Sequence, residues 1–268
     1  MIHILTVHWQ EDAWVDIQLS YLHKFIRQPF RVYSFLNNLP QEHRKKYFYS
    51  STEPIKEHAV KLNILADIAS FNMEGPDDLL IFIDGDAFPI GDVISFGVNK
   101  LKNYPLIAVQ RKENLGDIQP HPCFCLTTLK FWKDINGDWK EGYQWKNLLE
   151  NTVTDVGGNL LNILQENGFE WYPMLRSNKR NLHPLFFGIY EDLIYHHNAA
   201  FRSPLCRLDV ATINPVIKQI YKLIPTRRLR RKIYPGWKIK EQNKALSRRV
   251  FNMIETDEEF YRYFQQPD

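Results

Sequence analysis

The sequence predicts an α/β fold, a mostly parallel sheet flanked by helices, followed by a helical and basic C-terminal extension. Three observations carry this. The first 110 residues alternate short apolar runs with helically spaced ones, the pattern of a parallel sheet with crossover helices. The most apolar run, Leu79–Ile83, leads straight into Asp84-Gly85-Asp86. Between Lys218 and Arg249 twelve Lys and Arg face a single acid, Glu241. The whole chain is only +3, so its remainder is net acidic.

Taken in order, Ile2–Trp9 reads as a buried strand, and Asp12–Ile26 as a helix with Trp14, Ile17, Tyr21, Leu22 and Phe25 on one stripe. Phe30–Leu36 is a second strand, closed by the turn signal Asn37-Asn38-Leu39-Pro40. Gln41 to Pro54 is polar and reads as loop. Glu57–Phe71 is a helix built on Leu62, Leu65, Ala66 and Ala69, broken by Gly75-Pro76-Asp77. Leu79–Ile83 and Leu106–Val109 are strands, as is Cys123–Leu126, with a short helix at Leu129–Ile135. Gly158–Asn167 is a helix stopped by Gly168. Glu170–Leu175 and Leu193–His197 are later strands. Beyond Pro204 the pattern turns helical, at about Asn214–Leu223, Thr226–Ile233, Glu241–Ile254 and Glu258–Phe264. The expected division is a domain over 1–205 and an extension over 206–268.

At 268 residues, 44% hydrophobic and 24% charged, the chain can bury a core of its own, and disorder or a fibrous repeat is excluded. The three cysteines, Cys123, Cys125 and Cys206, make no disulfide framework. No run reaches the ~18 apolar residues of a membrane span, and Met1–Leu5 enters a strand without a basic leader. A cytoplasmic location is expected.

Asp84-Gly85-Asp86 is the sharpest chemical feature. Ligands in open α/β sheets bind beyond the carboxyl ends of strands. Two carboxylates there repel unless a cation neutralises them. Oxygen donors suit Mn²⁺ or Mg²⁺ bridging substrate phosphates, and Gly85 allows close backbone approach. The plainer alternative is a solvated turn. Arg111, after the strand at 106–109, suits a phosphate or sugar hydroxyls, or is simply a surface Arg. Asp155, before Gly157-Gly158, has the position of a helix N-cap. The loop Gln119–Cys125 enters a strand, and its cysteines read most simply as small core residues.

A strand ending in Asp-x-Asp after an N-terminal βαβα half resembles the nucleotide-sugar-binding module of GT-A-fold glycosyltransferases, over about residues 2–200. The resemblance implies a Rossmann-like GT-A domain and a metal-dependent transfer of a sugar from a nucleoside diphosphate, with a UDP-sugar as the expected donor, to a hydroxyl of a glycan or lipid-linked acceptor, as in lipopolysaccharide or capsule synthesis. It implies that Asp84 and Asp86 hold the cation, and that Thr6, His8, Asn37, His58, Lys61, Asn63, Gly85 and Arg111 lie along the donor. Asp155 becomes the general base if the reaction inverts; if it retains configuration that role lapses. A late His completes the metal site in several such families. Alternation sends His196 and His197 to opposite faces, and His197, nearer the strand end, is preferred. For His8 a half-buried strand His is the alternative, and for Lys61 a solvated helix face.

The tail from Lys222 to Lys238 interleaves cations with Leu229, Ile233, Tyr234 and Trp237. This composition suits an anionic membrane surface, with peripheral association at its inner face expected and no nucleic acid; a basic helix that simply faces water is the plainer alternative. Two rival readings remain at this stage. One is a nucleic-acid binder working through the tail. The other is a nucleotidyltransferase using the same carboxylate pair.

Overall fold

The computed structural model describes residues 1–199, 204–226 and 234–267. The first half comprises β1 (Ile2–Trp9), α1 (Ala13–Phe25), β2 (Phe30–Asn37), β3 (Tyr49–Ser51), α2 (His58–Ser70) and β4 (Leu79–Asp84). The middle follows with β5 (Ala87–Pro89), α3 (Val93–Lys100), β6 (Leu106–Val109), β7 (His121–Thr128), α4 (Leu129–Asp134), β8 (Trp145–Lys146) and β9 (Thr152–Val153). Next come α5 (Gly158–Glu166), β10 (Tyr172–Met174), β11 (Gly188–Tyr190) and β12 (Ile194–His196). The chain closes with α6 (Arg207–Thr212), α7 (Pro215–Lys222), α8 (Trp237–Thr256) and α9 (Arg262–Gln265).

A seven-stranded sheet in the order β10-β6-β7-β4-β1-β2-β3 forms the centre. Its pairs are parallel except around β7, which runs antiparallel to both β4 and β6. From β1 the chain places β2 on one side and β4 on the other, so the order reverses there, and ligands bind at such switch points. Alternation explains why β1 and β4 read as unbroken apolar runs. Ile4, Ile81 and Ile83 face one core with Val15 and Leu22 of α1. Leu5, Val7, Leu80 and Phe82 face the other with Leu62, Leu65 and Ala66 of α2. Both faces are covered, so neither parity carries solvent-facing residues.

A second sheet, β11-β12-β5, is antiparallel and places His196 opposite Ala87. A third apolar cluster joins Trp14, Tyr21, Phe88 and Tyr195 to Val250, Ile254, Phe260 and Phe264, so the end of the chain packs into the body.

Several elements depart from expectation. The stretch Gln41–Pro54 holds a 3-10 turn at Gln41–Lys46 and the edge strand β3. Three residues are too few to show a period. The short β5 and β11, and α3, had no sequence signature. The helix at Glu241–Ile254 is longer, Trp237–Thr256, and that at Glu258–Phe264 shrinks to Arg262–Gln265. The helix expected over Thr226–Ile233 lies, apart from Thr226, outside the described residues, as do Leu229, Ile233 and the arginine cluster between them.

Candidate active site

A pocket opens at the carboxyl ends of β1 and β4, lined by His8, Trp9, His58, Lys61, Asp84, Gly85, Asp86, Arg111, His121, Asp155 and His196, among others. Asp84 ends β4. Its Oδ1 lies 3.1 Å from His58 Nε2, at the start of α2, and its Oδ2 lies 3.6 Å from His196 Nε2. Asp86 Oδ1 is 3.4 Å from the same His196 nitrogen. Burial pushes both carboxyls up. At Asp84 the nearby His58 imidazole, then the charges of His196 and His121, outweigh it and hold the group well below its usual range. At Asp86 the charge of His196 also outweighs burial and lowers the pKa.

One atom each of Asp84, Asp86 and His196 lie mutually within 4.8 Å. Two carboxylates and an imidazole suit Mn²⁺ or a similar cation. The His196 Nδ1 is buried without a partner, so no other group competes to orient this ring through that atom.

The preference for His197 over His196 is reversed. His197 points the other way, its Nδ1 3.0 Å from the Tyr195 hydroxyl and its Nε2 2.9 Å from Ser247 Oγ on α8. Burial drives its pKa down to about 3. Only its backbone serves the acid loop, donating N–H to the Asp86 carbonyl. Register decides this, because pairing of His196 with Ala87 turns the His196 ring toward Asp86.

Gly85 has a tighter reason than approach to a ligand. A Cβ there would lie 2.6 Å from the Val7 carbonyl oxygen and 2.8 Å from His8 Nδ1. His8 is buried, its Nε2 3.1 Å from Gln18 Oε1, and burial lowers its pKa to about 4. Gln18 also donates to the carbonyls of Asp84 and Ala87 at 2.7 Å each, so one amide ties α1 to both sides of the acid loop. Gln18 was not anticipated. Its signal is a polar residue on the buried stripe of Trp14, Tyr21 and Leu22.

Lys61 is only 1% exposed, with Nζ 4.4 Å from the centre of the Trp9 ring. Burial lowers its pKa to about 8, so it stays largely charged at neutral pH. The solvated-face alternative for Lys61 is therefore excluded.

The remaining residues divide. Asp155 lines the pocket, and it is not the helix cap. Gly157 occupies that position in the left-handed region, while the Asp155 carboxylate accepts the Val156 N–H. Arg111 is buried at the pocket wall, not a surface Arg. Thr6 is buried inside β1 with its hydroxyl unpartnered. Asn37 donates to the Glu53 carbonyl, and Asn63 to Asp138 Oδ1 while accepting the Trp139 N–H. Thr6, Asn37 and Asn63 do not line the pocket.

Among the described residues one other triad could suggest a cation, His183, Cys206 and Asp209. Its hydrogen bonds argue otherwise. His183 Nδ1 accepts the N–H groups of Leu185 and Phe186, so its proton sits on Nε2, facing Asp209 Oδ1 at 3.1 Å. Asp209 in turn caps α6 through the Cys206 N–H.

No protein-family model matches the sequence, and no curated protein matches it. Solved structures do. S. aureus TarS in complex with UDP matches at 11% identity over 52% of this chain and 50% of that chain, with a TM-score of 0.39. The mannosyltransferase PcManGT from Pyrobaculum calidifontis, in complex with GDP-Man and Mn²⁺, matches at 10% over 64% and 54%, TM-score 0.43. The glycosyltransferase GlyE of Streptococcus pneumoniae TIGR4 matches at 12% over 64% and 44%, TM-score 0.42. The chain is similar to these glycosyltransferases. It spans about half of their length, and similarity at this level says nothing of what it binds.

Proposed function

We propose that the chain transfers a sugar from a nucleoside diphosphate to an acceptor hydroxyl. One observation carries the reading: Asp84, Asp86 and His196 converge at the carboxyl end of β4, beside the switch point, in a pocket that also holds Lys61 and Arg111. Acids alone would repel a diphosphate, and cations alone would need no acids. Their combination suits a divalent cation together with phosphate oxygens. Bound Mn²⁺ or Mg²⁺ would supply Lewis-acid stabilisation of the leaving diphosphate. His58 orients Asp84, Gln18 holds the backbone of the acid loop, and Lys61 adds positive charge over Trp9. Asp155, which also lines the pocket, is the proposed base for an inverting transfer. The proposed catalytic residues all lie within 1–205, and the helices beyond pack onto that body. Thermal-shift measurements with nucleotide sugars, UDP-sugars first, test the reading. Stabilisation that requires Mn²⁺ or Mg²⁺ and disappears in Asp84→Asn supports it; stabilisation independent of metal, or none, refutes it.

A peripheral position on an anionic membrane belongs to the same proposal, with a glycan or lipid-linked acceptor of the lipopolysaccharide or capsule kind. What supports it is α7. None of its residues is buried, and Val216, Ile217 and Ile220 are exposed beside Lys218 and Lys222, with Leu223 exposed just beyond. Trp237, at the start of α8, is exposed too. Apolar residues framed by cations suit an interfacial helix. Among the described residues no helix is long and apolar enough to cross a membrane.

A further inference from the structure

Arg111 is a buried cation with no ion pair at contact distance among the described residues. It is 8% exposed, and its Nε has no hydrogen-bond partner. Burial works against this charge and the nearby Glu113 and Asp117 carboxylates favour it, but neither lies within ion-pair distance. Glu113 accepts the Tyr190 hydroxyl at 2.6 Å and Asp117 accepts the Asn114 amide at 2.7 Å. Such a charge is costly unless something pairs with it.

Its close polar neighbour is His121 Nε2, 3.0 Å from the guanidinium Nη1. The His121 Nδ1 meanwhile accepts the Cys123 N–H at 3.1 Å. A neutral imidazole has one N–H and one lone pair. If Nδ1 accepts from Cys123, the proton sits on Nε2 and points at a guanidinium N–H. If Nε2 accepts from Arg111, the proton sits on Nδ1 and points at the Cys123 N–H. Either way two donors meet. A second proton worsens the conflict, and burial together with the Arg111 charge disfavours it. The corner lacks an acceptor. An oxygen lying between the two side chains would take N–H bonds from Arg111 and from His121 Nε2, and leave Nδ1 to Cys123.

We infer that Arg111 and His121 form an oxyanion subsite of the pocket, separate from the acid pair, that takes a phosphate or carboxylate oxygen of the substrate. Strand order places it on the β6–β7 side of Asp84, whereas His8 and Trp9 lie on the β1 side. The inference rests on the pocket being the sugar-nucleotide site. Two sources of the oxygen are chemically equivalent, the donor's diphosphate and an acid group on the sugar.

Calorimetry on the full chain with Mn²⁺ tests it, using pyrophosphate, UDP, UDP-glucose and UDP-glucuronate as probes. Wild type is compared with Arg111→Gln and with His121→Asn, whose side-chain oxygen still accepts from Cys123. At least one probe should lose about tenfold or more in both variants, the scale of a hydrogen bond to a charged group. Loss shared by pyrophosphate and UDP assigns the subsite to the diphosphate. Loss confined to UDP-glucuronate assigns it to a sugar carboxylate. Unchanged affinities for every probe, or no probe bound by wild type, overturn the subsite. Mn²⁺-dependent UDP binding lost in Asp84→Asn but kept with every probe in both subsite variants sinks the subsite alone. Pyrophosphate binding lost in Arg111→Gln, without any metal-dependent nucleotide binding, sinks the donor reading alone. Should Arg111→Gln fail to fold, His121→Asn decides.

Discussion

The imidazole Nε2 of His196 lies 3.4 Å from Asp86 Oδ1. One residue later the His197 ring reaches Ser247 on α8 instead. Two adjacent histidines thus serve different ends, and substitution separates them. His196→Ala should weaken Mn²⁺-dependent nucleotide binding by about tenfold or more while leaving the melting temperature near wild type. His197→Ala should do the reverse, costing about 1–3 kcal/mol of stability through the buried partners it strands. Calorimetry and thermal melts on both variants check this, and a swapped pattern would refute the assignment.

Gly85→Ala should disturb the acid loop from behind. The added methyl meets the Val7 carbonyl oxygen at 2.6 Å, a backbone atom that cannot swing aside. Overpacking of this kind costs about 1–3 kcal/mol. Metal-dependent binding should fall with stability, and wild-type affinity in Gly85→Ala would show that the loop shifts freely.

Asp155→Asn should lower kcat by about 10²–10⁴-fold with little change in donor affinity, because a base acts in the transition state. Its carboxylate caps nothing beyond the Val156 N–H, so stability should change little. Steady-state kinetics and calorimetry give the two numbers. Turnover near wild type would remove the base role.

Acid should destabilise the fold through His3 and Asp78, which lie 3.2 Å apart at the end of the sheet away from the pocket. Burial pushes Asp78 up, but the Glu74 N–H, the Met1 amino group and His3 outweigh it and hold its pKa at about 2. Its folded value lies below its unfolded one. Its contribution, roughly 2 kcal/mol by linkage, is present above about pH 4 and lost as pH falls toward 2. Burial also lowers the pKa of His3, so protonation below its ordinary range of about 6.5 opposes folding as well. Urea midpoints measured against pH should fall on acidification, and Asp78→Asn should flatten the lowest segment. A midpoint independent of pH below 4 would contradict the pairing.

Replacing Ile217 and Ile220 by Ser should release the chain from anionic vesicles without altering nucleotide binding. Both side chains are about half exposed or more and belong to no core cluster. Binding should need anionic lipid and weaken with salt. Co-sedimentation that is equal on neutral vesicles, or unchanged in the double variant, would refute membrane docking. Deletion from Pro225 onward is a poorer test, since it strips Val250, Ile254, Phe260 and Phe264 from a shared core.

The sequence alone determined what local chemistry controls. The strands at 2–9 and 79–84 could be read from unbroken apolar runs, because both faces of a central strand are buried. The helix at 58–70 showed its period, and the acid pair was placed because a buried strand must end somewhere polar. Tertiary structure decided the rest. Whether His196 or His197 meets the acids depends on pairing with Ala87, more than 100 residues earlier, and a slip of one residue would exchange them. Gln18 and His121 carry no distinctive spacing, and Arg111 was marked only by its place after the strand at 106–109. They lie beside the acid pair because β6 and β7 fold back against β4 and α1 packs beneath the loop. Side chains far apart in sequence share a pocket only once the strand order is set, and a local pattern of hydrophobicity does not encode that order.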